Sequence, residues 1–324
     1  MLYRYDKQTG VVARVSVARA AVVRDIYTLP APTGHAADAL ESMFAAQERI
    51  IAPIIRRLRS LTDPGHYGLD PVLRDGLAGY VAMLHIRSPT YRDVANRRIS
   101  WFGSIELDMQ LNDPSRFARI VRASGWQGTD GELEAYRLNE LEAFRSGRLF
   151  VEAPPISSMA DLRLAIDQLR PVLIDRRWVV MRRDRWPYLV LGDQPVTLLG
   201  PSGELGEIGF AVEGNEILIP LGSECLLAMT SGPHSRNVEV VTPDQARADG
   251  LEVPWWHQAN GAAWRTSGRF VFARCQADLD AVGRALHPDL RQAILPGPSY
   301  RGGDPDWAAY ADRLGIRRMD DSDL

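Results

Sequence analysis

Hydrophobic periodicity changes character once along this chain, near Pro171, and that change constrains the fold more than any other feature. From about residue 37 to 170, apolar residues recur at helical spacing; from 172 to about 275 they form short strand-like runs of period two. Helices first and strands later predict an α+β protein rather than the strict alternation that a parallel sheet requires.

A hairpin opens the chain, because residues 2–5 and 11–15 alternate apolar and polar and are joined by Gln8-Thr9-Gly10. Residues 25–29 read as a further strand, stopped by Pro30 and Pro32. A helix is expected over 37–62, where Leu40, Met43, Phe44, Ile50, Ile51, Ile54, Ile55, Leu58 and Leu61 share one broad arc. Asp70 then caps a second helix with Pro71 at its first position. Its stripe is Leu73, Leu77, Tyr80, Leu84, Arg87 and Tyr91. Residues 93–150 read as more helix, interrupted at Asn112-Asp113-Pro114 and between Gly125 and Gly131. Ser158 with Asp161 resembles a capping box for a helix ending near Arg170. Strands are expected at 172–181, 188–191, 216–219, 224–229, 238–241 and 269–273, with short helices near 243–250 and 254–267. Gly203, Gly206 and Gly209 mark a connecting loop. The expected organisation is one domain over 1–296, its helical part at 37–170 and its mainly antiparallel sheet at 172–275, followed by a loosely held tail at 297–324.

Composition narrows the function classes. With 45% hydrophobic and 24% charged residues, the chain can bury a core instead of remaining disordered. No window approaches the roughly 18 apolar residues that cross a bilayer, and residues 1–7 lack the apolar stretch of a secretory signal. Cys225 and Cys275 are too few for a disulfide framework or zinc cluster. These features point to the cytoplasm and to no membrane partner. The histidines at 35, 66, 85, 234, 257 and 287 show no ligand spacing, and no Walker loop, HExxH, paired CxxC or GxSxG is present. Neither a metal nor a cofactor is therefore expected.

Arginine demands a separate judgement. Of 38 basic residues only Lys7 is lysine, a ratio that suggests coding bias in a GC-rich genome. Arg56-Arg57-Leu58-Arg59, and the run holding Arg176, Arg177, Arg182, Arg183 and Arg185, therefore read as solvated, ion-paired surface. Asp175 and Asp184 interrupt the second run, and a pI near 6.1 argues against a nucleic-acid partner.

Four places conflict with their local pattern. Arg87 lies on an apolar stripe, where a lone guanidinium is costly to bury. Pro89 follows it and cannot donate to the His85 carbonyl, so the helix should restart at Ser88. Glu41 and Glu48 flank the apolar arc of the preceding helix, and Glu48 is the natural partner for Arg87 if the two helices pack antiparallel. Asp193 follows an apolar strand in Leu191-Gly192-Asp193-Gln194-Pro195, at the mouth of a sheet, where it either serves a site or caps its own turn. Asn260 stands four residues from both Trp256 and Trp264, between two indoles on a helix.

These stretches, in order, resemble the domain of unknown function 4238 family, a mainly bacterial group. The pieces are the helix from Glu41 to Glu48, Arg87-Ser88-Pro89, Trp178, Tyr188 to Val196, Ile217-Leu218-Ile219-Pro220-Leu221, and Asn260. They span about residues 1–275. The resemblance implies the α+β fold and points to these residues, but supplies no reaction. Two departures stand out. The family's opening histidine segment is missing, so either the start lies upstream of Met1 or this member lacks it. Leu191-Gly192 also replaces Thr-Ser, removing two hydroxyls beside Asp193.

The expected site is a polar cleft lined by Glu48, Arg87 and Asp193, with Glu41 and Asn260 as secondary candidates. It would bind an anionic small molecule or a phosphodiester, with hydrolysis as the first reaction to test. The competing reading is a non-catalytic binding or interaction protein in which these residues lock the fold.

Overall fold

A computed structural model describes residues 1–17, 39–154, 157, 162–183, 186–201, 205, 209–232, 237–242, 244–245 and 255–285. The strand expected at 25–29, the Ser158/Asp161 box, most of the helix near 243–250 and the tail lie outside these residues. In chain order the elements begin β1 (Leu2–Asp6), β2 (Val11–Val15), α1 (Ala39–Ser60), β3 (Gly65–Gly68), α2 (Pro71–Arg87), α3 (Pro89–Asn112), α4 (Pro114–Ala123) and α5 (Asp130–Arg145). There follow α6 (Leu162–Ile174), β4 (Arg177–Arg182), β5 (Leu191–Gly192), β6 (Thr197–Leu199), β7 (Glu216–Gly222), β8 (Cys225–Thr230), β9 (Asn237–Val241), α7 (Trp255–Thr266), β10 (Phe270–Ala273) and α8 (Gln276–Ala285). This is an α+β fold, with most helices ahead of most strands. The chain divides into two compact units, one drawing on Met1–Asp93 and Ser158–Leu295, the other on Val94–Ser157.

The first unit holds both sheets. One has six strands in the order β3-β9-β4-β8-β7-β6, antiparallel except for the parallel β4–β9 pair. Strand residues alternate between its faces, and both faces are covered. Trp178, Val180, Ile217, Ile219, Leu227 and Met229 pack with Ile51, Ile54 and Leu58 of α1, Leu77 and Val81 of α2, and Leu173 of α6. Val179, Met181, Leu218, Leu226 and Ala228 turn the other way, onto Trp255, Trp256, Ala259 and Ala262 of α7. The second sheet, β2-β1-β10-β5, is wholly antiparallel. Val271 and Ala273 of this sheet join Ala263 and Trp264 of α7 and Leu279 and Val282 of α8 in a third core.

Several boundaries differ from the sequence reading. Pro171 does not stop α6, which continues to Ile174. Its end is held by tertiary contacts: Arg74, buried and lying 4.2 Å over the Trp178 ring, donates to the carbonyls of Ile174 and Arg176. The Trp178 indole donates to the Leu173 carbonyl at 2.9 Å. The last turn is thus capped from outside, and β4 begins only at Arg177. Residues 65–68 add an edge strand to β9 where only a helix stop was legible. Ladder pairing of the segment expected at 188–191 is confined to Leu191–Gly192, and α8 was not anticipated.

The break between α2 and α3 falls where Pro89 requires it. Ser88 is extended, with φ −62° and ψ 143°. Its N–H and hydroxyl both donate to the His85 carbonyl, and its Oγ accepts from the Tyr91 N–H. In the second unit, Leu111, Phe117, Leu133, Leu141 and Phe144 form a helical core. Asp113 caps α4, and Thr129 with Glu132 forms a capping box on α5. No helix among the described residues is long and apolar enough to cross a membrane.

Candidate functional site

Local chemistry engages Glu48, Arg87, Asp193 and Asn260, four of the residues singled out from the sequence. Arg87 Nη1 donates to Glu48 Oε1 at 2.9 Å, and its guanidinium lies 4.0 Å over the Phe44 ring. The Arg87 side chain is 19% exposed and that of Glu48 51%, so the pair sits at the edge of the α1–α2 packing, not beneath it. The side chain of Glu41 lies outside the described residues.

Asp193 caps a distant segment rather than its own turn. Its carboxylate accepts from the backbone N–H groups of Gly268, Arg269 and Phe270 at 2.8, 2.8 and 2.9 Å. Asn260, nearly fully buried, accepts from the Val190 N–H at 2.9 Å and donates to the Tyr188 carbonyl at 3.0 Å. Its amide thus serves backbone groups of residues 188 and 190, while the Leu189 N–H donates to the Ser223 carbonyl at 2.9 Å. Glu48 and Arg87 are brought together, whereas Asp193 and Asn260 each bind backbone in other parts of the first unit.

A different group of residues encloses a cleft of about 220 Å³. Among the described residues its lining is Arg56, Arg59 and Ser60 from the end of α1, Arg182 from the end of β4, Ser223 and Glu224 from the β7–β8 turn, and Cys225 at the start of β8. The buried Ile51, Ile54 and Leu58 hold α1 on the sheet and leave Arg56, Arg59 and Ser60 exposed. Arg182 Nη1 donates to the Arg59 carbonyl, tying the strand end to the helix end. Gly222 admits the Arg59 side chain, since a Cβ there would lie 3.0 Å from Nε and 3.1 Å from Cζ.

The electrostatics are lopsided. Among the described residues, Arg56, Arg59 and Arg182 have no carboxylate ion-pair partner. Glu224 is the one acidic residue among the described residues of the lining, and Arg274 binds it at 2.9 Å. Arg274 also covers the Tyr188 ring at 3.8 Å. Burial pushes the Cys225 thiol up to about 11, against the opposing pull of Arg182 and Arg59. At neutral pH the thiol therefore stays protonated and is a poor nucleophile. The cleft offers fixed positive charge and hydrogen-bond donors to a ligand rich in oxygen acceptors.

Sequence reading had set these arginines aside as compositional bias. The only local signal was that Arg56 and Arg59 fall off the apolar arc of their helix. What unites them with Arg182 is a contact across 123 residues of chain.

Fold and cleft define an α+β protein with an arginine-lined surface site. The chain belongs to the family described as "Protein of unknown function (DUF4238)", whose profile matches residues 1–274. No curated protein and no solved structure matches it.

Proposed function

We propose that this protein binds an anionic small molecule in the cleft between the end of α1 and the β7–β8 turn. The observation that carries the reading is the convergence of Arg56, Arg59 and Arg182, from two arginine runs, none of them ion-paired to a carboxylate among the described residues. The lining also supports binding over turnover. Its thiol is held protonated, and its one carboxylate among the described residues is already engaged by Arg274. A hydrolase would need a free acceptor to activate water. In this reading Glu48, Arg87, Asp193 and Asn260 serve the fold, and the protein works in the cytoplasm, where free thiols such as Cys225 and Cys275 persist.

The test is a thermal-shift titration of the full chain with inorganic phosphate and with sulfate. A ligand that binds only the native state raises Tm as its concentration rises. Both anions should raise Tm in the native protein and much less in Arg59→Gln. Equal shifts in the native protein and the variant would place the anion elsewhere and sink the proposal.

A further inference from the structure

We infer that the cleft is a receptor for the terminal phosphate of a small phosphomonoester, and that it discriminates against phosphodiesters. This rests on the anion-binding reading above and assigns its ligand class.

Charge, donor count and volume support the assignment. Arg56, Arg59 and Arg182 present three guanidiniums, each able to grip a tetrahedral oxyanion by two N–H groups, and Ser223 adds a hydroxyl, while the Ser60 hydroxyl donates to the Arg57 carbonyl at 2.8 Å. A phosphomonoester brings close to two negative charges and three terminal oxygens at neutral pH. A diester brings one charge and two free oxygens, leaving part of this donor set unmatched. The cleft, at about 220 Å³, is also smaller than the roughly 300–1,000 Å³ of pockets that enclose drug-sized ligands. A phosphate on a short carbon chain suits that space better than a nucleotide or a polymer. Gly222 belongs to the same design, because the space its missing side chain leaves is occupied by Arg59.

Calorimetric titrations of the full chain with methyl phosphate, dimethyl phosphate and sulfate, at about pH 5 and about pH 7.5, test the assignment. The second phosphate proton leaves near pH 6, so methyl phosphate should bind about tenfold more tightly at the higher pH. Sulfate keeps its charge over this range and should not change. It therefore reports any titration of the groups facing the ligand, namely the three arginines, Glu224 with Arg274, and Cys225. Dimethyl phosphate should bind at least about tenfold more weakly than methyl phosphate near pH 7.5, and Arg56→Gln should weaken methyl phosphate by about tenfold. Arg56 is exposed, so that variant should fold normally. Equal binding of monoester and diester, or parallel tightening of sulfate, overturns the assignment while leaving an anion site intact. No heat with any of the three anions overturns both readings.

Discussion

Lys7 and Asp193 grip opposite sides of one turn. Lys7 Nζ donates to the carbonyls of Trp264 and Ser267 at 2.9 and 2.7 Å, closing the end of α7. Asp193 accepts the next three N–H groups, those of Gly268, Arg269 and Phe270. Between them the chain leaves a helix and enters β10 with its backbone groups satisfied. Burial lowers the ammonium pKa of Lys7, and the Asp193 charge partly opposes the shift. The single lysine of an arginine-rich chain therefore has a defined task, one suited to a compact ammonium that can approach two carbonyls at once.

Replacing Asp193 by Asn keeps the shape but halves the acceptor capacity and removes the charge. Stability measured by urea unfolding should fall by about 2–3 kcal/mol, and Lys7→Met should cost about 1–2 kcal/mol. A double-mutant cycle should show coupling, because both residues hold the same turn.

Asn260→Ala would leave the Val190 N–H and the Tyr188 carbonyl without their partner. The expected loss is about 2–4 kcal/mol, read from the midpoint of chemical denaturation. A loss below about 1 kcal/mol would mean that water replaces the amide.

The Glu48–Arg87 pair should behave quite differently. With one partner half exposed, Glu48→Gln should cost no more than about 1 kcal/mol. Arg87→Met keeps apolar contact with Phe44 and should also fold, with a similar small change in Tm.

His85 predicts an acid sensitivity. Its ring meets Tyr91 and Phe210 at centroid distances of 5.1 and 4.7 Å, and its Nδ1 is buried with no hydrogen-bond partner among the described residues. Burial pushes its pKa down to about 4 from an ordinary 6.5. The unfolded chain therefore binds this proton more readily, and the folded state loses stability as pH falls from 6.5 towards 4. The loss approaches roughly 3 kcal/mol at the acid end. His85→Phe should flatten that part of the stability–pH curve, and an unchanged slope would show that other groups cause it.

Gly222→Ala separates binding from folding. The three atoms nearest the added methyl all belong to the flexible end of Arg59, so stability should stay within about 0.5 kcal/mol of the native protein. Phosphate binding should weaken several-fold as the guanidinium is displaced, while a wild-type titration would remove Arg59 from the site.

Much of the fold is legible in the sequence because its causes are local. The Asp70 and Asp113 caps act within three residues, Pro89 breaks the helix at its neighbour, and the change of period near Pro171 separates most helices from most strands. Even the Glu48–Arg87 pair follows from two stripes on consecutive helices. Other features needed the folded chain. α6 runs through Pro171 to Ile174, where Arg74, 100 residues earlier, takes the terminal carbonyl. Asp193 finds its three donors 75 to 77 residues away only once β5 pairs with β10. The same holds for the site. Its arginines stand in plain view in the sequence, but only the packing of α1 on the sheet gathers three into one cleft, since their shared position depends on contacts no local pattern encodes.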